Sequence, residues 1–159
     1  MDENLSKGNN KTRNYELLLK NLKSYLIKED NLISNLANLS AYLNYFLKDI
    51  NWVGFYLYDG ENLSLGPFQG NTACTKIKIG SGVCGKAAKE RNTIIVDDVS
   101  MFDDHITCDV ASKSEIVVPI IKNSQLIGVL DIDSPLIANF NEVDKTALEK
   151  VIQQLVSVI

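Results

Sequence analysis

Near residue 50 the spacing of apolar residues in this chain changes from helical to strand-like, which most limits what it can fold into. Upstream lie two amphipathic stripes. Leu18, Leu19, Leu22, Tyr25 and Leu26 recur at three- and four-residue steps, predicting a helix over about 14–28. Leu32, Leu36, Leu39, Leu43, Phe46 and Leu47 predict a second helix over about 31–48. The Lys28-Glu29-Asp30-Asn31 break between them supplies a stop and an N-cap candidate. Downstream, Trp52 to Tyr58 reads as a strand, Asp59-Gly60 as a hairpin turn and Leu63 to Phe68 as the return strand. Thr75 to Ile79 alternates as a third strand, and Gly80-Ser81-Gly82 opens a short helix running to about Glu90. Thr93 to Val96 is a short strand, and residues 97–114 form a long loop of the kind that often carries function. Glu115 to Ile121 and Gln125 to Ile132 are strands joined by a turn at Lys122-Asn123-Ser124, with Pro135 ending the second. A last helix covers about 141–158, with Val143, Ala147, Val151, Leu155 and Val158 as its buried stripe. Consecutive hairpins with interspersed helices predict an α+β architecture: an antiparallel sheet with flanking helices and an N-terminal helical pair. Residues 1–13 read as a mobile arm and 14–159 as one domain.

Composition narrows the function classes. The chain has 159 residues, 45% hydrophobic and 23% charged, with a formal net charge of −4 and no Lys/Arg run. Nucleic acid and anionic membrane are therefore not expected partners. There is no apolar run long enough to span a bilayer, and the polar start lacks the apolar core of a secretory signal, so a cytoplasmic location is expected.

The three cysteines, Cys74, Cys84 and Cys108, are an odd number in a chain with no export mark, which argues against a disulfide scaffold. They sit beside Gly, Ala, Thr or Asp rather than within Ile/Leu/Val runs, which points to reactive thiols. His105 close to Cys108 raises the alternative of a zinc-stabilised interaction domain, but there is no Cys-x-x-Cys knuckle, and no metal is expected. Gly80-Ser81-Gly82-Val83-Cys84-Gly85 lacks a phosphate-loop lysine and a βαβ setting. It reads instead as a tight turn placing Cys84 in the first turn of a helix, where its pKa should fall.

Acidic residues gather in the second half. Alternation places Ile127, Val129, Asp131 and Asp133 on one face of their strand. Hairpin pairing should bring Glu115 beside Asp131 and Asp133. Three such carboxyls cannot all ionise cheaply, so at least one should hold its proton to higher pH, making the cluster a seat for an ammonium group or a proton donor. Trp52 and Tyr56 share a face, with Gly54 between them leaving open space, as an aromatic wall would require.

Together these residues resemble one family, the free methionine-(R)-sulfoxide reductases, single-domain proteins of the GAF fold. The resemblance rests on Trp52-Val-Gly-Phe-Tyr56, Gly66-Pro-Phe-Gln-Gly70, Ala73-Cys74, Gly82-Val-Cys84-Gly85, Asp98-Val99, His105-Ile-Thr-Cys-Asp109, Ser114-Glu-Ile-Val-Val-Pro-Ile120, Gly128-Val-Leu-Asp-Ile-Asp-Ser-Pro135, and Phe140 with Asp144. It implies thiol-dependent reduction of the free amino acid methionine-(R)-sulfoxide, with Cys108 as the attacking thiolate. It also implies that Glu115, Asp131 and Asp133 bind substrate and deliver a proton, Glu115 being catalytic as well. Trp52 and Tyr56 would line the pocket, Cys84 would be the main resolving thiol and Cys74 a second or relay thiol. Thioredoxin is the implied reductant, a homodimer the implied assembly, and no cofactor is called for. The alternative is a ligand-sensing GAF domain without turnover.

Overall fold

The computed structural model describes residues 9–104 and 109–159. Among them, helices α1 (Asn9–Leu22) and α2 (Leu32–Phe46) precede strands β1 (Trp52–Tyr58), β2 (Asn62–Gly70) and β3 (Lys76–Lys78). Helix α3 (Gly82–Glu90), strand β4 (Ile94–Val96) and a single 3₁₀ turn at Val99–Met101 follow. Strands β5 (Ser114–Lys122) and β6 (Gln125–Ser134) and helix α4 (Glu142–Val156) complete the described chain. The strands form one sheet in the order β3-β2-β1-β6-β5-β4, every neighbouring pair antiparallel. The expected α+β class is therefore the observed one. The β5–β6 hairpin turns through Asn123 and Ser124, with φ of 50° and 64°, the left-handed pair that a two-residue hairpin of matching twist requires.

Strand alternation divides the sheet's two faces between two cores. Val53, Phe55, Ile116, Val118, Ile120, Leu130 and Ile132 face α1, α2 and α4. The opposite face carries Trp52, Tyr56, Val117 and Val129 against α3, with Val83, Cys84, Ala87 and Ala88 as its packing surface. The functional residues expected from the sequence lie on this second side, Cys108 excepted, which falls outside the described residues.

Three expectations shift at the helices. The first helix spans Asn9–Leu22 rather than about 14–28, so 9–13 are helical, while residues 1–8 of the expected arm lie outside the described residues. Tyr25 is consequently beyond the helix and exposed, although Leu26 is buried. At the other end, Val143 faces solvent instead of joining the α4 stripe, because the buried first-turn side chain is Asp144. Asp144 closes a capping box with Asn141. It also accepts from the Tyr15 hydroxyl at 2.7 Å and pairs with Lys11 Nζ at 2.5 Å, which ties α1 to α4. Asp144→Ala leaves a buried phenol and an amide N–H without their acceptor. It should cost about 2–4 kcal/mol, read as a lower urea midpoint with unchanged slope.

Candidate active site

The register of three strands builds the site. Trp52 pairs with Asp133 and Gly54 with Asp131 across β1–β6. Glu115 pairs with Asp133 and Val117 with Asp131 across β5–β6. One-residue alternation then turns Trp52, Tyr56, Glu115, Asp131 and Asp133 toward the same face. Helix α3 lies over that face and brings the Cys84 sulfur to 3.9 Å from Glu115 Oε1. These side chains, with Thr72, Ala73, Asp109 and Ser112, line a cleft of about 530 Å³ including its open mouth.

Seven of the eight expected site residues can be placed. Trp52, Tyr56, Cys84, Glu115, Asp131 and Asp133 line the cleft. Cys74 stands at its edge, where its carbonyl accepts from the Tyr56 hydroxyl at 3.0 Å, and it is disulfide-bonded. Cys108 lies outside the described residues, but Asp109, the next residue, is on the cleft wall. The candidate zinc pair of His105 and Cys108 lies outside the described residues too. Asp109 and Ser112 were given no site role from the sequence, although Asp109 closes the His105–Asp109 motif.

The aromatic wall is closed rather than open. The Trp52 ring stacks on Phe68 at 5.3 Å and on Tyr56 at 5.9 Å, and its indole N–H donates to the Asn71 carbonyl at 3.0 Å. The expected open space at Gly54 is occupied: a Cβ there would lie 2.6 Å from the Trp52 ring and against Phe68 Cβ. Glycine is required at this point because the indole and Phe68 close over the backbone.

The acids are electrostatically frustrated. Glu115 and Asp131 are each only 6% exposed. Among the described residues, no Lys or Arg lines the cleft. Burial pushes Glu115 far above the usual carboxylate range, and the charges of Asp131 and Asp133 push it further. Asp133 is raised strongly by burial, then by Asp131 and Asp109. Asp131 is raised by burial to about 6, against stabilising hydrogen bonds from Cys84 and Glu115. Its Oδ1 is buried with no hydrogen-bond partner among the described residues, an acceptor open to a ligand. Cys84 is in the first turn of α3 as expected, but its thiol pKa is not lowered. Burial, followed by Asp131 and Glu115, pushes it well up, and this outweighs the helix N-terminus. The donor atoms of Cys84, Glu115 and Asp131 lie within 4.8 Å of one another, close enough to share one cation.

These shifts predict how stability responds to pH. Between 3.8, its ordinary value, and about 6, folded Asp131 keeps a proton that the unfolded chain has released. The stability linked to that proton is full below the lower value and is lost as pH rises through the upper one. Glu115 and Asp133 shift in the same direction and carry the loss to higher pH. Melting temperature should therefore fall as pH is raised from about 4 past about 6, and Asp131→Asn should flatten that slope.

A GAF domain, the class already implied by the curled antiparallel sheet with its opposed helices, is matched by a family model over residues 33–159. The free methionine-R-sulfoxide reductase of Escherichia coli is 45% identical over 150 residues, covering 94% of this chain and 91% of that protein. The reduced fRMsr of Staphylococcus aureus superposes with a TM-score of 0.88 at 51% identity, covering 91% of this chain and 94% of the other. A free methionine-R-sulfoxide reductase from Neisseria meningitidis in complex with its substrate gives 0.89 at 40% identity, covering 95% and 91%. The chain belongs to the GAF domain family and, within it, to the free methionine-R-sulfoxide reductases.

Proposed function

We propose that this chain reduces free L-methionine-(R)-sulfoxide to methionine with Cys108 as nucleophile and the Glu115–Asp131–Asp133 cluster as the seat of the substrate's ammonium group. The observation that carries the reading is the buried carboxylate cluster, with no Lys or Arg and no partner for Asp131 Oδ1 among the described residues. A free amino acid brings the missing positive charge; a methionine residue within a protein has no such ammonium group. Ligands without it would leave ionised acids buried and unpaired and should bind poorly.

The chemistry balances with the thiols present. The Cys108 thiolate bonds to the sulfoxide sulfur while a neutral carboxylic acid, for which the high pKa of Glu115 suits it, gives a proton to the oxygen. The hydroxyl passes to the Cys108 sulfur as the thiolate–substrate bond breaks. This releases methionine and leaves a sulfenic acid. A second thiol then attacks that sulfur, water departs and a disulfide forms, the two thiols having supplied two electrons. We assign this resolving step to Cys74, with Cys84 as a packing and hydrogen-bonding residue. The assignment differs from the expectation that Cys84 is the main resolving thiol. It is supported by the disulfide at Cys74 and by the burial and raised pKa of the free Cys84 thiol. A dithiol of the thioredoxin class would restore the reduced form by exchange. Trp52 and Tyr56 bound the space left for the substrate's methyl end.

The reading is tested by incubating the protein with dithiothreitol and each epimer of free methionine sulfoxide and following methionine. Consumption of the R epimer alone is expected. Binding without any turnover would instead favour the ligand-sensing alternative.

A further inference from the structure

Outside the carboxylate cluster, one half-buried polar side chain bonded to the cleft wall has no assigned task. Asn51 immediately precedes β1, and its backbone N–H donates to the Asp133 carbonyl at 3.0 Å, so it is fixed to the catalytic sheet. Its amide nitrogen donates twice, to Asp109 Oδ2 at 3.2 Å and to Ser112 Oγ at 3.0 Å. Its Oδ1 is buried without a partner. An amide whose oxygen is buried with no described partner is held by its two donor bonds.

Both acceptors lie on the cleft wall. Asp109 takes further bonds from the Ala111 N–H at 2.9 Å and the Asn71 amide at 3.3 Å. Ser112 lies close enough to Asp133 to lower its carboxyl pKa slightly against the effect of burial. The Asn51 amide occupies the Ser112 oxygen as an acceptor, which ties Ser112 to the start of β1. Lys113, next along, donates its backbone N–H to the Ser134 carbonyl at 2.7 Å. The segment 109–113 is thereby joined at one end to the start of β1 and at the other to the end of β6, the two central strands. Cys108 is one peptide bond upstream of the point where Asn51 and Asn71 converge.

We propose that Asn51 is a positioning residue for the reductase reaction. It anchors Ser112 and Asp109, the residue that directly follows Cys108, to the start of β1, and so limits where the chain can carry the Cys108 sulfur. This rests on the reading of Cys108 and the acids given above. Small displacements of a reacting group carry large rate penalties, so the effect belongs in turnover rather than in substrate affinity.

The experiment compares Asn51→Leu, which keeps the bulk and removes both donors, with Asn71→Ala, an exposed side chain whose loss weakens only one bond to Asp109. For Asn51→Leu, kcat with free methionine-(R)-sulfoxide should fall about tenfold or more. KM should move less than about threefold, and alkylation of Cys108 by iodoacetamide, followed by peptide mass spectrometry, should change in rate. Asn71→Ala should show a smaller fall in kcat at wild-type melting temperature. If both folded variants keep kcat and Cys108 alkylation within about twofold of wild type, the proposal is overturned. Should Asn51→Leu not fold, an unchanged kcat and alkylation rate in Asn71→Ala overturns it alone. An inactive wild type would instead sink the reductase reading, whereas active wild type with unaffected variants sinks only the role of Asn51.

Discussion

Cys108→Ser should leave no measurable reduction of free methionine-(R)-sulfoxide, a loss of about a thousandfold or more. A serine hydroxyl at this position has no base within the assigned chemistry to ionise it, and oxygen cannot store the transferred hydroxyl as sulfur does in a sulfenic acid. The substitution removes one atom's polarisability and leaves the carboxylate cluster intact, so substrate should still bind. Equilibrium dialysis with the R sulfoxide separates the two effects: retained binding with absent turnover is expected. Full turnover by Cys108→Ser would assign the nucleophile elsewhere, and Cys84, buried at the cleft floor, would be the next residue to examine.

The second large effect is at Glu115. Glu115→Gln keeps the shape and a hydrogen-bonding head but cannot release a proton, and turnover at neutral pH should fall by about a hundredfold to a thousandfold. The fold should tolerate the change. Burial and the two neighbouring aspartates already favour the neutral form of Glu115, so glutamine resembles the state the unliganded protein prefers. A stable variant with depressed kcat is therefore the expected pair of results, read from thermal melts and initial rates on one preparation. Near-normal turnover would move the proton-donor role to Asp133, the other strongly raised acid.

The site's acids were legible because a strand's alternation is unambiguous and its partner is fixed by a tight turn. Asp131 and Asp133 are two residues apart, and the turn at Asn123-Ser124 leaves Glu115 opposite Asp133. The β1 boundaries, Trp52–Tyr58, followed from the same alternation and the Asp59-Gly60 turn. What the sequence hid was local competition. Cys84 sits at a helix start, which alone lowers a thiol pKa, but nothing in the α3 segment announces that it docks on buried carboxylates that push the other way. Gly54 looked like a gap because a missing side chain gives no hint of which neighbour fills its space; Phe68 and Trp52 do so. Val143 fits a helical stripe, yet the capping box at Asn141 and Asp144 turns it to solvent. Nothing in the sequence distinguishes Asn51 and Asn71 from the other asparagines; their convergence on Asp109 in space does.

The most direct measurement is a trap of the first chemical step. A Cys74→Ser, Cys84→Ser double variant has no second thiol to close a disulfide, so it should stop at the sulfenic acid after one turnover. Mixed with one equivalent of free methionine-(R)-sulfoxide and dimedone, it should release one equivalent of methionine and carry the dimedone adduct on the peptide containing Cys108. The N-acetylated sulfoxide, which lacks the ammonium group, should give neither product at a comparable rate. Methionine release without an adduct at Cys108, or equal reaction of the N-acetylated compound, would contradict a thiolate working beside an ammonium-binding carboxylate cluster.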